Sequence, residues 1–284
     1  MNNHHYFCEN FIKMIFFPNA KINLGLFVTG KRIDGFHNIE TIFYPVPLRD
    51  VLEMIPSPDG KFNFSTSGKP VPGKPEDNLL VKAWLMLQHE FGLPQVHIYL
   101  HKILPMGAGL GGGSADAAFA IRLINQLFKL GLCNEKMMDY ALRLGMDCPF
   151  FIKNTPAYAW ERGDKMEDVK LQLSGKFLVI VKPSFHVSTA EAYAGIVPAK
   201  LGFSLKDVIT KPVDKWRNYL KNDFEKIVFR KYPEAETVKR DLCKKGAEYA
   251  SMSGSGSALY GIFNKEVNLK KHFPNCFYWG GGLT

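Results

Sequence analysis

Cysteines are few in this chain of 284 residues, and they form no pattern that predicts a metal or redox site. They lack a CxxC pair, have no histidine at metal-site spacing and are odd in number: Cys8, Cys133, Cys148, Cys243 and Cys276. Scattered cysteines of this kind predict reduced thiols rather than a disulfide framework, as in a cytosolic protein.

Long hydrophobic runs are also missing. No stretch approaches the roughly 18 apolar residues that a membrane span needs. The first 13 residues lack the basic and apolar regions of a standard signal peptide. We therefore expect a cytoplasmic protein without a membrane partner.

Acidic residues are outnumbered by basic ones, 27 against 36, which gives a formal net charge of +9. Such an excess fits nucleic acid, an acidic surface, small polyanionic substrates or no specific partner at all. A nucleic-acid-binding module would predict a basic stripe with exposed aromatic residues on one element. The Lys and Arg residues are instead scattered, so we expect no nucleic-acid partner. The chain length suggests about two domains.

The apolar pattern predicts a mixture of strands and helices without an internal repeat. Period-two alternation and β-favouring composition predict strands over 22–28, 36–44, 51–55, 61–65, 96–100, 177–181, 248–250 and 259–263. The turn signal at residues 31–35 predicts that the first two strands form a hairpin. Apolar faces with suitable ends predict helices over 78–91, where Asp77-Asn78 can form the cap, and over 114–130, 135–144, 188–195, 233–244 and 267–272. This order predicts two α+β domains, divided near Pro156.

The most informative segment is rich in glycine and precedes a predicted helix. It runs Pro105-Met106-Gly107-Ala108-Gly109-Leu110-Gly111-Gly112-Gly113-Ser114-Ala115. Glycines at the start of a helix let the backbone approach a ligand closely and point several N–H groups at it. The positive end of the helix dipole favours phosphate oxygens at the same place. A turn that only meets local backbone demands would not need five glycines within seven residues.

Two familiar phosphate loops do not fit this segment. Gly107-x-Gly109-x-x-Gly112 matches the dinucleotide fingerprint, but that motif requires a strand after its helix, and here a second helix is predicted. A Walker A loop requires Gly-Lys-Ser/Thr, and no Lys follows Gly112 or Gly113. The segment is therefore a phosphate loop of a third kind.

Three segments, in this order and spacing, resemble the galactokinase–homoserine kinase–mevalonate kinase–phosphomevalonate kinase superfamily. Residues 18–24 (PNAKINL) resemble its first motif, the glycine-rich segment its second, and residues 251–258 (SMSGSGSA) its third. Within the superfamily, residues 30–37 (GKRIDGFH) and 147–151 (DCPFF) are most similar to the 4-diphosphocytidyl-2-C-methyl-D-erythritol kinases. Another small-molecule kinase, of homoserine or mevalonate, is the alternative, but those enzymes usually lack the DGFH hairpin.

The resemblance implies a two-domain α+β kinase fold with a cleft between the domains. Residues 14–156 would form an ATP-binding and catalytic domain with a mixed sheet, and residues 157–284 a substrate-binding, ferredoxin-like α/β sandwich. Residues 1–13 would be an extension. The implied reaction moves the γ-phosphoryl group of ATP to the 2-hydroxyl of the methylerythritol moiety, in non-mevalonate isoprenoid biosynthesis. Mg²⁺ is expected with ATP, its ligands are unknown, and the chain could be a monomer or a homodimer.

The resemblance also implies the site residues. Lys21 and Asp147 match the catalytic pair, in which Asp147 would accept the hydroxyl proton late and Lys21 would offset negative charge in the transition state. The glycine-rich segment would bind ATP. Phe36 and Tyr193 would enclose the cytosine, with His37 at the edge of the base. The remaining substrate contacts would be Asn23, Thr189, Gly254, Ser255 and Gly256.

Plain structural explanations exist for the same residues. Asp147 could cap a helix whose first turn starts at Pro149, and Lys21 could be an ordinary lysine at a strand edge. His37 could be satisfied within its hairpin strand, and residues 254–257 could form a simple turn between strands. The contacts of each side chain distinguish these explanations from the functional ones.

Overall fold

The computed structural model describes residues 14–283, so the expected extension at 1–13 lies outside the described residues. The strands are β1 (Met14–Phe16), β2 (Asn19–Lys31), β3 (His37–Arg49), β4 (Val51–Pro56), β5 (Asn63–Gly68), β6 (Val96–Lys102), β7 (Ala157–Trp160), β8 (Lys165–Asp168), β9 (Phe177–Lys182), β10 (Tyr249–Met252), β11 (Leu259–Phe263) and β12 (Phe277–Gly282). The helices are α1 (Leu79–Phe91), α2 (Gly112–Leu127), α3 (Asn134–Leu144), α4 (Phe150–Lys153), α5 (Thr189–Tyr193), α6 (Leu205–Val208), α7 (Glu225–Lys231) and α8 (Pro233–Lys244). These elements confirm the predicted α+β class.

The first sheet has the strand order β1-β4-β6-β5 and packs against the helices of the first half. Helix α1 begins where predicted, because the side chain of Asn78 accepts a hydrogen bond from the N–H of Leu80 at 2.9 Å. The apolar faces of α1 and α2 bury Trp84 and Ile121 in one core with the strands. This packing fixes the N-terminus of α2, at which the glycine-rich segment ends.

The second sheet has the order β2-β3-β7-β8, built on the long hairpin of β2 and β3 that the sequence predicts. Strand β7 pairs with β3 from Thr41 to Phe43, and β8 pairs with β7. The expected domain boundary at residue 156 therefore falls inside this sheet. A boundary between Asp168 and Phe177 agrees better with the strand pairing.

The third sheet has the order β10-β11-β9-β12 and is antiparallel throughout. Alternate residues of β9 face opposite sides, as period two requires. Leu178 and Ile180 pack toward β2 and β3 of the second sheet, whereas Val179 and Val181 pack against α7 and α8. The third sheet thus joins the two halves through one face and carries helices on the other.

Several predicted elements differ from the observed ones at their ends. Helix α2 ends at Leu127 rather than at residue 130, since Lys129 adopts a positive φ of 53°. The helix predicted over 267–272 is wrong, because only a 3₁₀ turn at Lys270–His272 forms there. Strands β7, β8 and β12 and helix α7 were not predicted from the sequence.

Candidate active site

Two neighbouring cavities have volumes of about 480 and 500 Å³. Both are lined by residues of the first and third motifs, and the first cavity also by the glycine-rich segment. The phosphate cavity is lined by residues 105–114, and the aromatic cavity by Phe36, His37, Tyr193 and Phe224. Both cavities share the same wall residues, which are Lys21, Asp147, Thr189, Gly254 and Ser255. Each cavity takes residues from both sides of position 156, so neither half of the chain forms one alone.

The glycine-rich segment supplies most of the phosphate cavity. Residues from Pro105 to Ser114 line it, and α2 begins at Gly112 with its N-terminus at the cavity. Ala115 does not line it, because this side chain is fully buried in the core between α2 and the first sheet. A sixteen-residue helix that begins at an open cavity offers unpaired backbone N–H groups to an anion.

The second and third motifs touch each other directly. Ser253 Oγ donates to the carbonyl oxygen of Gly109 at 2.8 Å. The N–H of Ala258 donates to the carbonyl oxygen of Ala108 at 3.1 Å. Gly109 has a φ of +75°, and a Cβ on it would lie 2.0 Å from the carbonyl oxygen of Ser253. Only glycine fits at this position, because both the backbone angle and the space exclude a side chain.

Lys21 lies at the wall that the two cavities share. Its side chain is only 4% exposed, unlike that of a lysine which protects a solvent-facing strand edge. Lys21 Nζ donates to Asn23 Oδ1 at 2.7 Å and lies 3.3 Å from Asp147 Oδ2. The backbone N–H of Lys21 donates to the carbonyl oxygen of Leu110 at 2.9 Å, which ties β2 to the glycine-rich segment.

Asp147 lies between α3 and α4 and faces both cavities, with its side chain 37% exposed. It does not cap a helix, because α4 begins at Phe150 and its cap position, Pro149, makes no side-chain hydrogen bond. The explanation of Asp147 as a helix cap is therefore wrong. The neighbouring Cys148 is buried, and burial raises the pKa of its thiol to about 12, so it stays protonated.

Asn23 lies in the wall of the aromatic cavity, but protein groups already engage its amide. Its Oδ1 accepts from Lys21 Nζ, its Nδ2 donates to Thr41 Oγ1 at 3.0 Å, and the residue is 1% exposed. The sequence-based assignment of Asn23 to the substrate therefore changes. Its contacts indicate that it orients Lys21.

The predicted aromatic pair lines one cavity, but the ring of His37 lies against that of Tyr193. Tyr193 stacks on His37, with centroids 4.7 Å apart and planes at 22°. Phe36 lines the same cavity and is 52% exposed. Burial, with Asp147 adding to it, raises the pKa of Tyr193 to about 12, so its phenol stays neutral.

Arg162 is a residue of the aromatic cavity that sequence reasoning missed, since a single arginine in a turn belongs to no motif. Its guanidinium carbon lies 5.8 Å from the centre of the Phe36 ring, and its Nη2 donates to Asp164 Oδ2 at 2.7 Å. Its Nε is buried and has no hydrogen-bond partner among residues 14–283. Arg162 therefore presents an anchored cation beside Phe36.

The buried side chain of Asn222 makes hydrogen bonds to the backbone of the third motif. Asn222 Nδ2 donates to the carbonyl oxygens of Met252 at 2.9 Å and Gly254 at 2.8 Å. Gly254 and Ser255 line both cavities and Gly256 the phosphate cavity, so this turn is more than a link between strands. Thr189, at the start of α5, completes the shared wall.

The part of the chain that the structure describes shows neither a metal cluster nor a membrane span. No group of three or more His, Cys, Asp or Glu side chains within residues 14–283 could hold an ion. No helix in the same range is long and apolar enough to cross a bilayer.

Two family descriptions match the chain, one in each half. The first is "GHMP kinases N terminal domain", over residues 78–154, and the second is "GHMP kinases C terminal", over residues 205–272.

Curated relatives match nearly the full chain. A 4-diphosphocytidyl-2-C-methyl-D-erythritol kinase of Bacteroides fragilis is 53% identical over 260 residues, which cover 91% of this chain and 95% of that protein. A protein of the same name from Chlorobium luteolum is 39% identical, with 89% of each chain covered.

Solved structures show the same fold. A crystal structure of 4-(cytidine 5'-diphospho)-2C-methyl-D-erythritol kinase superposes with a TM-score of 0.80 at 27% identity, covering 95% of this chain and 99% of that one. A homoserine kinase of Cytophaga hutchinsonii superposes with a TM-score of 0.62 at 18% identity, covering 94% and 95%. The second match concerns the fold alone.

Proposed function

Because the chain belongs to the GHMP kinases and, within them, to the 4-diphosphocytidyl-2-C-methyl-D-erythritol kinases, we propose that its two cavities hold the two substrates of that kinase reaction. The reaction is the ATP-dependent phosphorylation of the 2-hydroxyl of 4-diphosphocytidyl-2-C-methyl-D-erythritol, a step of non-mevalonate isoprenoid biosynthesis. ATP occupies the phosphate cavity, and the cytidyl substrate occupies the aromatic cavity.

The wall that the cavities share is the observation that carries this proposal. Phosphoryl transfer requires the γ-phosphate and the acceptor hydroxyl to meet in line. Lys21 and Asp147 belong to both cavities and lie 3.3 Å apart at that junction. A donor bound on one side and an acceptor bound on the other would therefore bring their reacting atoms to this pair.

Each member of the pair has a separate chemical task. Asp147 accepts the proton of the 2-hydroxyl as the new oxygen–phosphorus bond forms and the bond to ADP breaks. Lys21 is fixed by Asn23 and offsets the negative charge that develops on the transferred group. The N–H groups at the start of α2 hold the phosphates of ATP without a charged side chain.

Mg²⁺ is expected with ATP, since it bridges phosphate oxygens and neutralises charge in such reactions. Among the described residues that line either cavity, Asp147 is the only carboxylate. This donor set suits an ion held mostly by phosphate and water oxygens, as Mg²⁺ usually is. The protein ligands stay unassigned.

The aromatic cavity would receive the cytosine. Phe36 and Tyr193 offer ring faces, and His37 now occupies the face of Tyr193 that a base would use. Cytosine would therefore enter as the His37 ring moves aside to the edge of the base. Arg162, held by Asp164, would supply a cation beside Phe36.

Replacing Phe36 with Ala is expected to raise KM for the cytidyl substrate about 10-fold, because stacking on an aromatic ring is worth roughly 1–3 kcal/mol per base. KM for ATP should change little, since Phe36 does not line the phosphate cavity. Steady-state kinetics with each substrate varied in turn measure both values. Tyr99→Ala, which removes a partly exposed ring outside both cavities, is the matched control. Equal increases in both KM values would contradict the cytosine site.

A coupled assay of ADP release tests the function as a whole. Purified protein, ATP and Mg²⁺ are incubated with the cytidyl substrate, with homoserine or with mevalonate. We expect turnover with the cytidyl substrate alone. Turnover with homoserine or mevalonate only would support the alternative, which the shared fold of the homoserine kinase allows.

A further inference from the structure

Three charged side chains are buried together beneath the glycine-rich segment and have no part in the reaction described above. Lys102 is 1% exposed, Asp50 0% and Asp116 3%. Lys102 Nζ donates to Asp50 Oδ2 and also to Asp116 Oδ2, the latter at 2.7 Å. The cluster lies outside both cavities.

The cluster joins the two ends of the phosphate loop. Asp50 Oδ1 accepts from the backbone N–H groups of Ile103 at 2.5 Å and Leu104 at 2.8 Å, immediately before the loop starts. Asp116 lies in α2 just beyond its first turn, immediately after the glycine-rich segment ends at Ala115. Lys102 therefore connects a carboxylate that holds the start of the loop with one that belongs to its end.

The same cluster is also linked to the catalytic strand. The backbone N–H of Asp50 donates to the carbonyl oxygen of Pro18 at 2.8 Å, three residues before Lys21. On the other side, a Cβ on Gly112 would lie 3.4 Å from Lys102 Nζ, so the ammonium is next to the first turn of α2.

Stability alone is a weak reason for such a cluster. Burial of ions costs free energy, and replacing a buried ion pair by apolar residues is often neutral or stabilising. Asp116 Oδ1 is buried without a hydrogen-bond partner within residues 14–283. Burial raises the pKa of Asp116 to about 7, against the lowering effect of Lys102. The buried cluster therefore costs free energy on folding, which points to a role in fixing the geometry of the loop.

We propose that Asp50, Lys102 and Asp116 are positioning residues that hold the start and the end of the phosphate loop at the separation ATP requires. The inference rests on the proposed assignment of ATP to the phosphate cavity. None of the three contacts the nucleotide. They act through the backbone between Pro105 and Ser114, whose N–H groups point at the phosphates only when both ends are held.

The test compares Asp116→Ala and Asp116→Asn with the wild-type chain. The Ala variant removes the link to the end of the loop but leaves the Asp50–Lys102 pair, whereas Asn keeps an oxygen for Lys102. We expect Asp116→Ala to weaken binding of a non-hydrolysable ATP analogue about 10-fold or more, with little change in KM for the cytidyl substrate. Asp116→Asn should restore most of the affinity, and the melting temperature of each variant is measured beside it so that a loss of folded protein is not counted as weaker binding.

The controls separate this inference from the proposed function. Lys206→Met breaks a half-exposed ion pair with Glu167 and should leave nucleotide affinity unchanged. If wild-type protein binds the analogue and Asp116→Ala binds it equally well, the positioning role is wrong while the function stands. If wild-type protein does not bind the analogue, both fail. Should Asp116→Ala not fold, Asp116→Ser is measured by the same criteria.

Discussion

We expect turnover to fall about 1,000-fold when Asp147 is replaced by Asn, because Asp147 accepts the hydroxyl proton in the proposed reaction. Asn has the same size and can still accept a hydrogen bond from Lys21, but it cannot take up a proton. ATP affinity should be nearly unchanged, because in the proposed arrangement the N–H groups of residues 106–114 hold the phosphates. ADP-release kinetics give kcat, and calorimetry with a non-hydrolysable ATP analogue gives the affinity.

Asp168→Asn is the matched control for this change. Asp168 pairs with Lys153 at 3.2 Å, close to the 3.3 Å of the Lys21–Asp147 pair, but it lies outside both cavities. Its loss should leave kcat unchanged, because exposed ion pairs contribute little. Near-normal turnover of the Asp147→Asn enzyme would remove Asp147 from the mechanism.

Gly109→Ala is expected to lower kcat/KM for ATP by about 100-fold or more, because displacement of a binding loop by about 1 Å has effects of that size. The new Cβ would lie 2.0 Å from the carbonyl oxygen of Ser253, so one of the two glycine motifs must move. Both motifs line the phosphate cavity, and either movement changes the place of the γ-phosphate. The kinetic constants are compared with the melting temperature of the same variant.

Gly131→Ala separates backbone strain from the steric clash. Gly131 has a φ of +68°, similar to the +75° of Gly109, but a Cβ there meets nothing within 4 Å. Both variants incur the cost of a left-handed residue, roughly 1–2 kcal/mol. Only Gly109→Ala should lose activity with ATP. Equal losses of activity would mean that general destabilisation, and not the contact between the motifs, causes the effect.

The sequence predicted those parts of the site that depend on local chemistry. The glycine-rich segment, the hairpin before His37 and the Asn78 cap each rest on backbone preferences of a few neighbouring residues, and all three occur in the structure. Lys21 and Asp147 were found through the resemblance of their motifs. Their separation of 3.3 Å could not be read from residues 126 positions apart.

Other features depend on packing and could not be predicted. Strand β12 contains three consecutive glycines, which disfavour a strand, yet it pairs with β9. The rings of Phe177 and Trp279 lie over two of these glycines, where a Cβ would come within 3.1 and 2.6 Å. Arg162 and the buried Lys102 cluster were missed because their partners are distant in the sequence or belong to no motif.

Gly109 and Ser253 also restrict how the two halves of the chain can move. A hinge that opened the cleft would have to separate these motifs and break the 2.8 Å hydrogen bond between them. Each cavity opens to solvent by itself, and the two meet only at their common wall. If ATP and the cytidyl substrate bind as proposed, each can enter its cavity without the other, and we predict a random order of addition.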